Sequence, residues 1–256
     1  MKTRSPLKPW SILCVVLGVI LCVILGAYRR PVMWLLYAKV QFRNEPKLWY
    51  VPRPLSLGAP GPFKGRSFAY FGYGFDSPWT ELKRERKTES VVVLNFSTGE
   101  VIVVFAPAEN GSELDEMKRE AEKRGEDIRS VFGDEATRTN YALRSKILSL
   151  TPGDLRLVSS RQQMVADSVL LFLKKTEIAT LKGGLFSFQT KQFHGFQEGG
   201  PTQDDTVTIE AFDSQDQKLK LLISSERGAA SRPSQADINH ILVSLHPVAP
   251  SQSTDP

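Results

Sequence analysis

Cysteine is almost missing: the 256 residues hold two, Cys14 and Cys22, both inside the apolar stretch PWSILCVVLGVILCVILGAYRR at residues 9–30. Everything after that stretch is therefore without an internal disulfide or a thiolate metal site. Histidine is nearly as scarce, and His194, His240 and His246 show neither H-E-x-x-H nor any other paired ligand spacing. There is no G-x-S-x-G elbow, no Walker-type phosphate loop and no G-x-G-x-x-G opening a helix, so the best-marked hydrolase, nucleotidase and dinucleotide classes lack their signatures. No motif implies a cofactor or a metal. An excess of one charge is also missing once the N-terminal part is set aside. Residues 1–47 carry eight Lys and Arg against the single acid Glu45, and the remainder holds 25 basic and 27 acidic residues, a net of −2 within a chain of net +5. The basic excess belongs beside anionic lipid headgroups rather than on a nucleic-acid-binding face, and no nucleic acid is expected as a partner.

What the sequence does have is one long apolar run. Trp10 to Tyr28 is 19 residues without a charge, a length that spans roughly 28 Å of a hydrocarbon core of about 30 Å. A secretory signal has a shorter core followed by small residues before the cut, whereas here Leu25 or Ile24 would occupy the −3 position. The run therefore reads as a retained single-pass anchor, with Trp10 and Tyr28 as interfacial aromatics. Basic residues flank it on both sides, so charge alone gives no single orientation. The short basic leader resembles a signal anchor and favours an extracytoplasmic C-terminal domain.

The chain divides into a basic leader (1–9), a transmembrane helix (10–28), a juxtamembrane interfacial segment (29–44), a Pro/Gly-rich linker (45–65), a globular domain (66–247) and a disordered tail (248–256). Lipid contact is expected through residues 10–43. The linker has five prolines between Pro46 and Pro62 and is expected to be an extended spacer.

Within the domain, SFAYFGYGFDSPW reads as one strand with a bulge, and SVVVLNFSTGEVIVVFAP as a hairpin. A charged helix follows from Ser112, with pairs such as Asp115 with Arg119 and Glu120 with Arg124 on its solvent side. A second helix is expected at about 136–149, and a third in SRQQMVADSVLLFLKKTEI, whose dense apolar positions Val169 to Leu173 suggest burial on more than one side. Strands return in GLFSFQTKQF, TVTIEAFD and KLKLLISS, and a capped helix closes the domain in SQADINHILVSL. The fold class is α+β, with a largely antiparallel sheet of about six strands, a helical insertion and a C-terminal helix, preceded by the transmembrane helix.

The segment GYGFDSPW, the hairpin, the helical middle, the late hairpin and the closing DINHILVSL together resemble the layout of the Mog1/PsbP/LpqN group of small α/β/α sandwiches, over residues 68–246 in outline. The helical middle is longer than in that group, and Trp79 follows Pro78 directly. The resemblance implies a binding or assembly accessory rather than an enzyme, and it carries over no functional residue.

One loop gathers chemistry-bearing groups: FHGFQEGGPTQDD, with His194, Glu198, Gly199, Gly200, Asp204 and Asp205, a set able to bind a cation or a polar ligand. The aromatic group Tyr70, Phe71, Tyr73 and Trp79 reads mainly as core. The leading expectation is a non-catalytic binding or accessory domain held near the bilayer, with a protein partner. The alternatives are a membrane-tethered hydrolase using His194 with a nearby carboxylate, and a structural subunit of a membrane complex.

Overall fold

A computed structural model describes residues 39–58, 65–107, 113–155, 161–179, 181–202, 206–226, 228–229 and 232–248. The expected anchor at 10–28 and the tail from 249 lie outside the described residues. Among the described residues no helix is long and apolar enough to cross a membrane.

The domain is α+β, as its alternating periods imply. Its strands are β1 (Arg53–Pro54), β2 (Arg66–Tyr70), β3 (Tyr73–Ser77), β4 (Leu82–Lys87), β5 (Val91–Phe96), β6 (Glu100–Phe105), β7 (Leu185–Gln189), β8 (His194–Glu198), β9 (Thr206–Phe212), β10 (Lys218–Ser225) and β11 (His246–Pro247). Its helices are α1 (Glu113–Lys123), α2 (Ile128–Phe132), α3 (Asn140–Ser149), α4 (Arg161–Glu177) and α5 (Gln235–Ser244), and residues 39–43 are also helical. Eight strands form one sheet in the order β1-β7-β8-β9-β10-β6-β5-β4, and β11-β3-β2 form a second. The β1–β7 pair is parallel and the other pairs are antiparallel.

Eleven strands stand against the expected six: the two-residue β1 and β11 extend the sheet edges, and three more have local reasons. The segment read as one bulged strand is the hairpin β2–β3, because Phe71 and Gly72 both adopt positive φ, 54° and 82°, which turns the chain back within two residues. The charged stretch LKRERK shows no apolar alternation, yet it pairs with β5 as an exposed edge. HGFQE, read as loop, is an interior strand between β7 and β9. Gly195 in it has a packing reason: a Cβ there would sit 2.0 Å from the Glu210 carbonyl oxygen.

Two cores lie on opposite faces of the large sheet. On one, Val92, Leu94, Phe96, Ile102, Val104, Val207, Ile209, Leu219, Leu221 and Ile223 meet Phe68, Tyr73 and Phe75 of the small sheet and Ile238, Ile241 and Leu242 of α5. On the other, Leu185, Phe196 and Phe212 meet apolar residues of α1 to α4. The aromatic group behaves as expected, since Tyr73 is buried and Trp79 packs on Phe96 with ring centroids 5.4 Å apart. The charged helix α1 pairs Asp115 with Lys118 and Glu120 with Lys123 at three-residue spacing, and the charge of Arg124 also acts on Glu120.

The described part of the proline-rich segment, residues 45–58, does not stand away from the domain. Leu48 is fully buried in the second core, β1 adds to the edge of the large sheet, and the Leu55 amide donates to the Ser187 carbonyl at 2.8 Å. Prolines lack amide donors, but they still offer carbonyls, and three carbonyls decide the docking. The Lys174 ammonium, fully buried on α4, donates to Leu48 O, Tyr50 O and Leu150 O at 3.2, 2.7 and 2.6 Å. Burial pulls its pKa down to about 8, opposed by the charge of Asp154, so the ion with its three N–H groups persists at neutral pH.

Candidate functional site

Three places on the large sheet concentrate chemistry. The first is an ion cluster on the helical side. Arg144 of α3, 6% exposed, bonds through Nη1 to Glu177 of α4, through Nη2 to Glu198 Oε1 of β8 at 2.6 Å, and lies with Nε 2.6 Å from Glu210 Oε2 of β9. Lys218 Nζ approaches Glu210 Oε1 at 3.8 Å. Three carboxylates thus surround one guanidinium with one flanking ammonium. Burial raises the Glu198 pKa to about 7; Arg144 and Lys220 oppose the rise, while Glu210 and Glu177 add to it. The cluster ties two helices to two strands and holds a proton near neutrality. Its carboxylates are committed to that cation, an arrangement suited to registering helices on a sheet.

The second place surrounds His194 at the start of β8. Its ring meets Tyr141 edge-on at 4.0 Å and lies parallel to its cross-strand partner Phe212 at 6.3 Å. Burial lowers its pKa, against the charges of Asp216 and Asp213. Both of those acids are engaged in structure. Asp213 Oδ2 accepts from the Tyr73 hydroxyl at 3.1 Å, and its Oδ1 accepts from the amides of Gln215 and Gln217 at 2.9 Å each. This contact and burial push the Tyr73 phenol pKa upward, burial most. Asp216, held at φ 60° in the β9–β10 turn, accepts from the Tyr141 amide at 3.1 Å, from Asn140 Nδ2 at 2.7 Å and from the Asn140 amide. It thereby caps α3 from another part of the chain.

The third place is an open sheet face. The cross-strand rows Arg86–Val93–Val103–Leu222, Val91–Phe105–Lys220 and Arg84–Asn95–Val101–Ser224 lie on the side opposite the first core. The apolar residues of β5, β6 and β10 that point into that core are at most 1% exposed, whereas Val91, Val93, Val101, Val103, Phe105 and Leu222 remain partly exposed. They form an apolar floor of β-branched and aromatic side chains. Exposed Arg84 and Arg86 border it on the edge strand, and Lys220 lies on the far side with its ammonium 5.9 Å from the Phe105 ring.

The structure separates the residues that the sequence grouped in one loop. His194 and Glu198 stand at opposite ends of β8, roughly 13 Å apart along a strand, one in the aromatic corner and the other in the ion cluster. Gly199 follows at φ 90° and donates its amide to the Gly184 carbonyl at 2.8 Å, and Pro201 borders a depression of about 530 Å³ with Val207, Ile223, Glu226 and Arg232. Asp204 and Asp205 lie outside the described residues. Among the described residues no three His, Cys, Asp or Glu side chains are arranged to hold a metal ion.

Sequence reasoning missed Arg144, Lys174 and the open face. The nearly unbroken apolar runs VVVLNF and EVIVVF were the available signal for the face, because both sets of positions are apolar where one set would be polar on a solvated sheet. No family model, no curated protein and no solved structure matches the chain.

Proposed function

We propose that this chain is a single-pass membrane protein whose α+β domain is a non-catalytic binding or accessory module, recognising a protein segment on the open face of the large sheet. The observation that carries the reading is the floor of Val91, Val93, Val101, Val103, Phe105 and Leu222, partly exposed beside Arg84, Arg86 and Lys220. Apolar patches with a polar rim mark interaction sites. The basic rim selects a partner whose apolar residues are flanked by acids. The anchor at residues 10–28 puts that partner at the membrane, and the signal-anchor reading of the leader puts the domain on the extracytoplasmic side. The resemblance to the Mog1/PsbP/LpqN group supports the same class of role. The hydrolase alternative has less behind it, since Asp213 and Asp216, the acids whose charges act on His194, are both engaged by other groups.

A photoreactive residue placed at Val93 or Val103 in the membrane-bound chain should give a discrete adduct. The adduct should vanish with Arg84→Glu and Arg86→Glu, and a photoreactive residue at Lys118 on α1 should give none. Turnover of a hydrolase substrate by the full-length protein, lost in His194→Ala, would overturn the reading. Protease added to intact cells should cut the domain; cutting only after lysis would reverse the proposed orientation.

A further inference from the structure

Among the described residues, the large apolar side chains that stand exposed fall in two segments only: Val40, Trp49, Tyr50 and Val51, and Val165, Val169 and Phe172 of α4. The second set is spaced i, i+4, i+7 and forms one stripe of the helix, with Phe172 58% exposed. Met164, Leu170 and Leu171 occupy the buried side. Helix α4 is buried over more than one side, as expected, with Ala166, Leu170, Leu171 and Lys174 all inaccessible, but Val169 and Phe172, counted among its dense apolar positions, face outward.

Helix α4 is also the element on which the chain lands as it arrives from the apolar run. Phe42 is buried beneath the Lys175 ammonium, 5.9 Å from its ring, Lys47 bonds the Ala179 carbonyl just past the end of α4, and Lys174 holds residues 48 and 50. Eleven residue steps separate Tyr28 from Lys39, roughly 16 Å as helix and at most roughly 39 Å extended. Exposed Lys39 and Arg43, together with Lys47 and Lys175, supply cations in the same neighbourhood, while the chain beyond residue 47 is net acidic.

We infer that the outward face of α4 lies against the lipid surface, with Val165, Val169 and Phe172 in the boundary between headgroups and acyl chains. This rests on the reading of residues 10–28 as a membrane anchor. The choice of lipid over protein follows from size. Three side chains on one helix cover a few hundred Å² at most, far below the roughly 1,200 Å² of a stable protein interface. A surface already tethered within reach of the bilayer needs only such a weak contact. The domain is thereby held in one orientation on the membrane.

The test uses full-length protein in vesicles of phosphatidylcholine and phosphatidylglycerol, with Cys14→Ala and Cys22→Ala as background. Single cysteines replacing Val169, Phe172 or, as a solvent control on the edge strand, Glu85 carry a nitroxide label, and relaxation by oxygen and by a water-soluble nickel chelate is compared. Labels at 169 and 172 should gain oxygen accessibility and lose nickel accessibility relative to 85. If the protein floats with vesicles through alkaline washing while all three labels behave alike, the α4 contact is overturned and the anchor stands. Labels at 169 and 172 shielded from both reagents would mean that another protein surface covers the stripe, which also overturns it. Failure to float would remove the anchor and the inference together.

Discussion

The Lys174 ammonium donates to the Tyr50 carbonyl at 2.7 Å, joining α4 to a residue 124 positions earlier in the chain. Two more carbonyls complete its shell, so one buried side chain gathers residues 48, 50 and 150 at a single point. Lys174→Met fills the volume but strands three acceptors, each costing about 1–3 kcal/mol when left unpaired. The expected outcome is faster amide exchange in residues 47–55, with the core strands β5, β6 and β10 little changed. Uniform loss of protection across the domain would show that the segment is part of the global core instead.

Arg144 bonds Glu177 and Glu198 through separate nitrogens of one guanidinium. Arg144→Met should destabilise the fold by about 3–5 kcal/mol, because uncompensated buried charges are left behind. Adding Glu198→Gln and Glu210→Gln to that variant should recover part of the loss in urea unfolding. No recovery would assign the cost to lost packing rather than to charge.

Glu198 makes stability depend on pH with a definite sign. Its pKa rises from an ordinary 4.5 to about 7 on folding, so between those values the folded chain keeps a proton that the unfolded chain has released. The stabilisation is complete below about pH 4.5 and is lost as pH rises toward 7. Melting temperatures of wild type and Glu198→Gln, followed from pH 4.5 to 8, should therefore diverge across that window and run parallel above it. Parallel curves throughout would remove Glu198 as the titrating group.

Asp216 combines two demands, a positive φ and a carboxylate at the start of α3. Asp216→Ala loses the cap and keeps a Cβ in the left-handed region, whereas Asp216→Gly loses only the cap. Cap loss is worth about 1–2 kcal/mol and the Cβ roughly 1 kcal/mol more. The glycine variant should thus be the more stable of the two in thermal unfolding, and equal melting points would place the cost elsewhere.

How far the sequence discloses the fold depends on whether its signals are local. The β5–β6 hairpin, the 3-10 turn at Pro152–Asp154 with its Thr151 cap and the Ser234 capping box of α5 are encoded within a few residues, and each is legible. Strand β4 is not, because an edge strand needs only one partner and no apolar side, so LKRERK looks like surface. The strand β8 was masked by Gly195 and by the glycines after Glu198, which belong to a close approach and a turn. The ion cluster was hidden for a different reason: Arg144 meets acids 33, 54 and 66 positions away, and no spacing rule connects them.

The order of attachments along residues 42–55 has a mechanical meaning. Starting from the N-terminal side, the chain is fixed first by Phe42 under Lys175, next by Lys47 at Ala179, then by the three-carbonyl cage of Lys174, and last by β1 on the edge of the large sheet. A pull transmitted from residues before 39 meets these fastenings in series, and the central strands carry tension only after all four have given way. The segment works as a strain relief, like the clamp that keeps a tugged cable from reaching its solder joints.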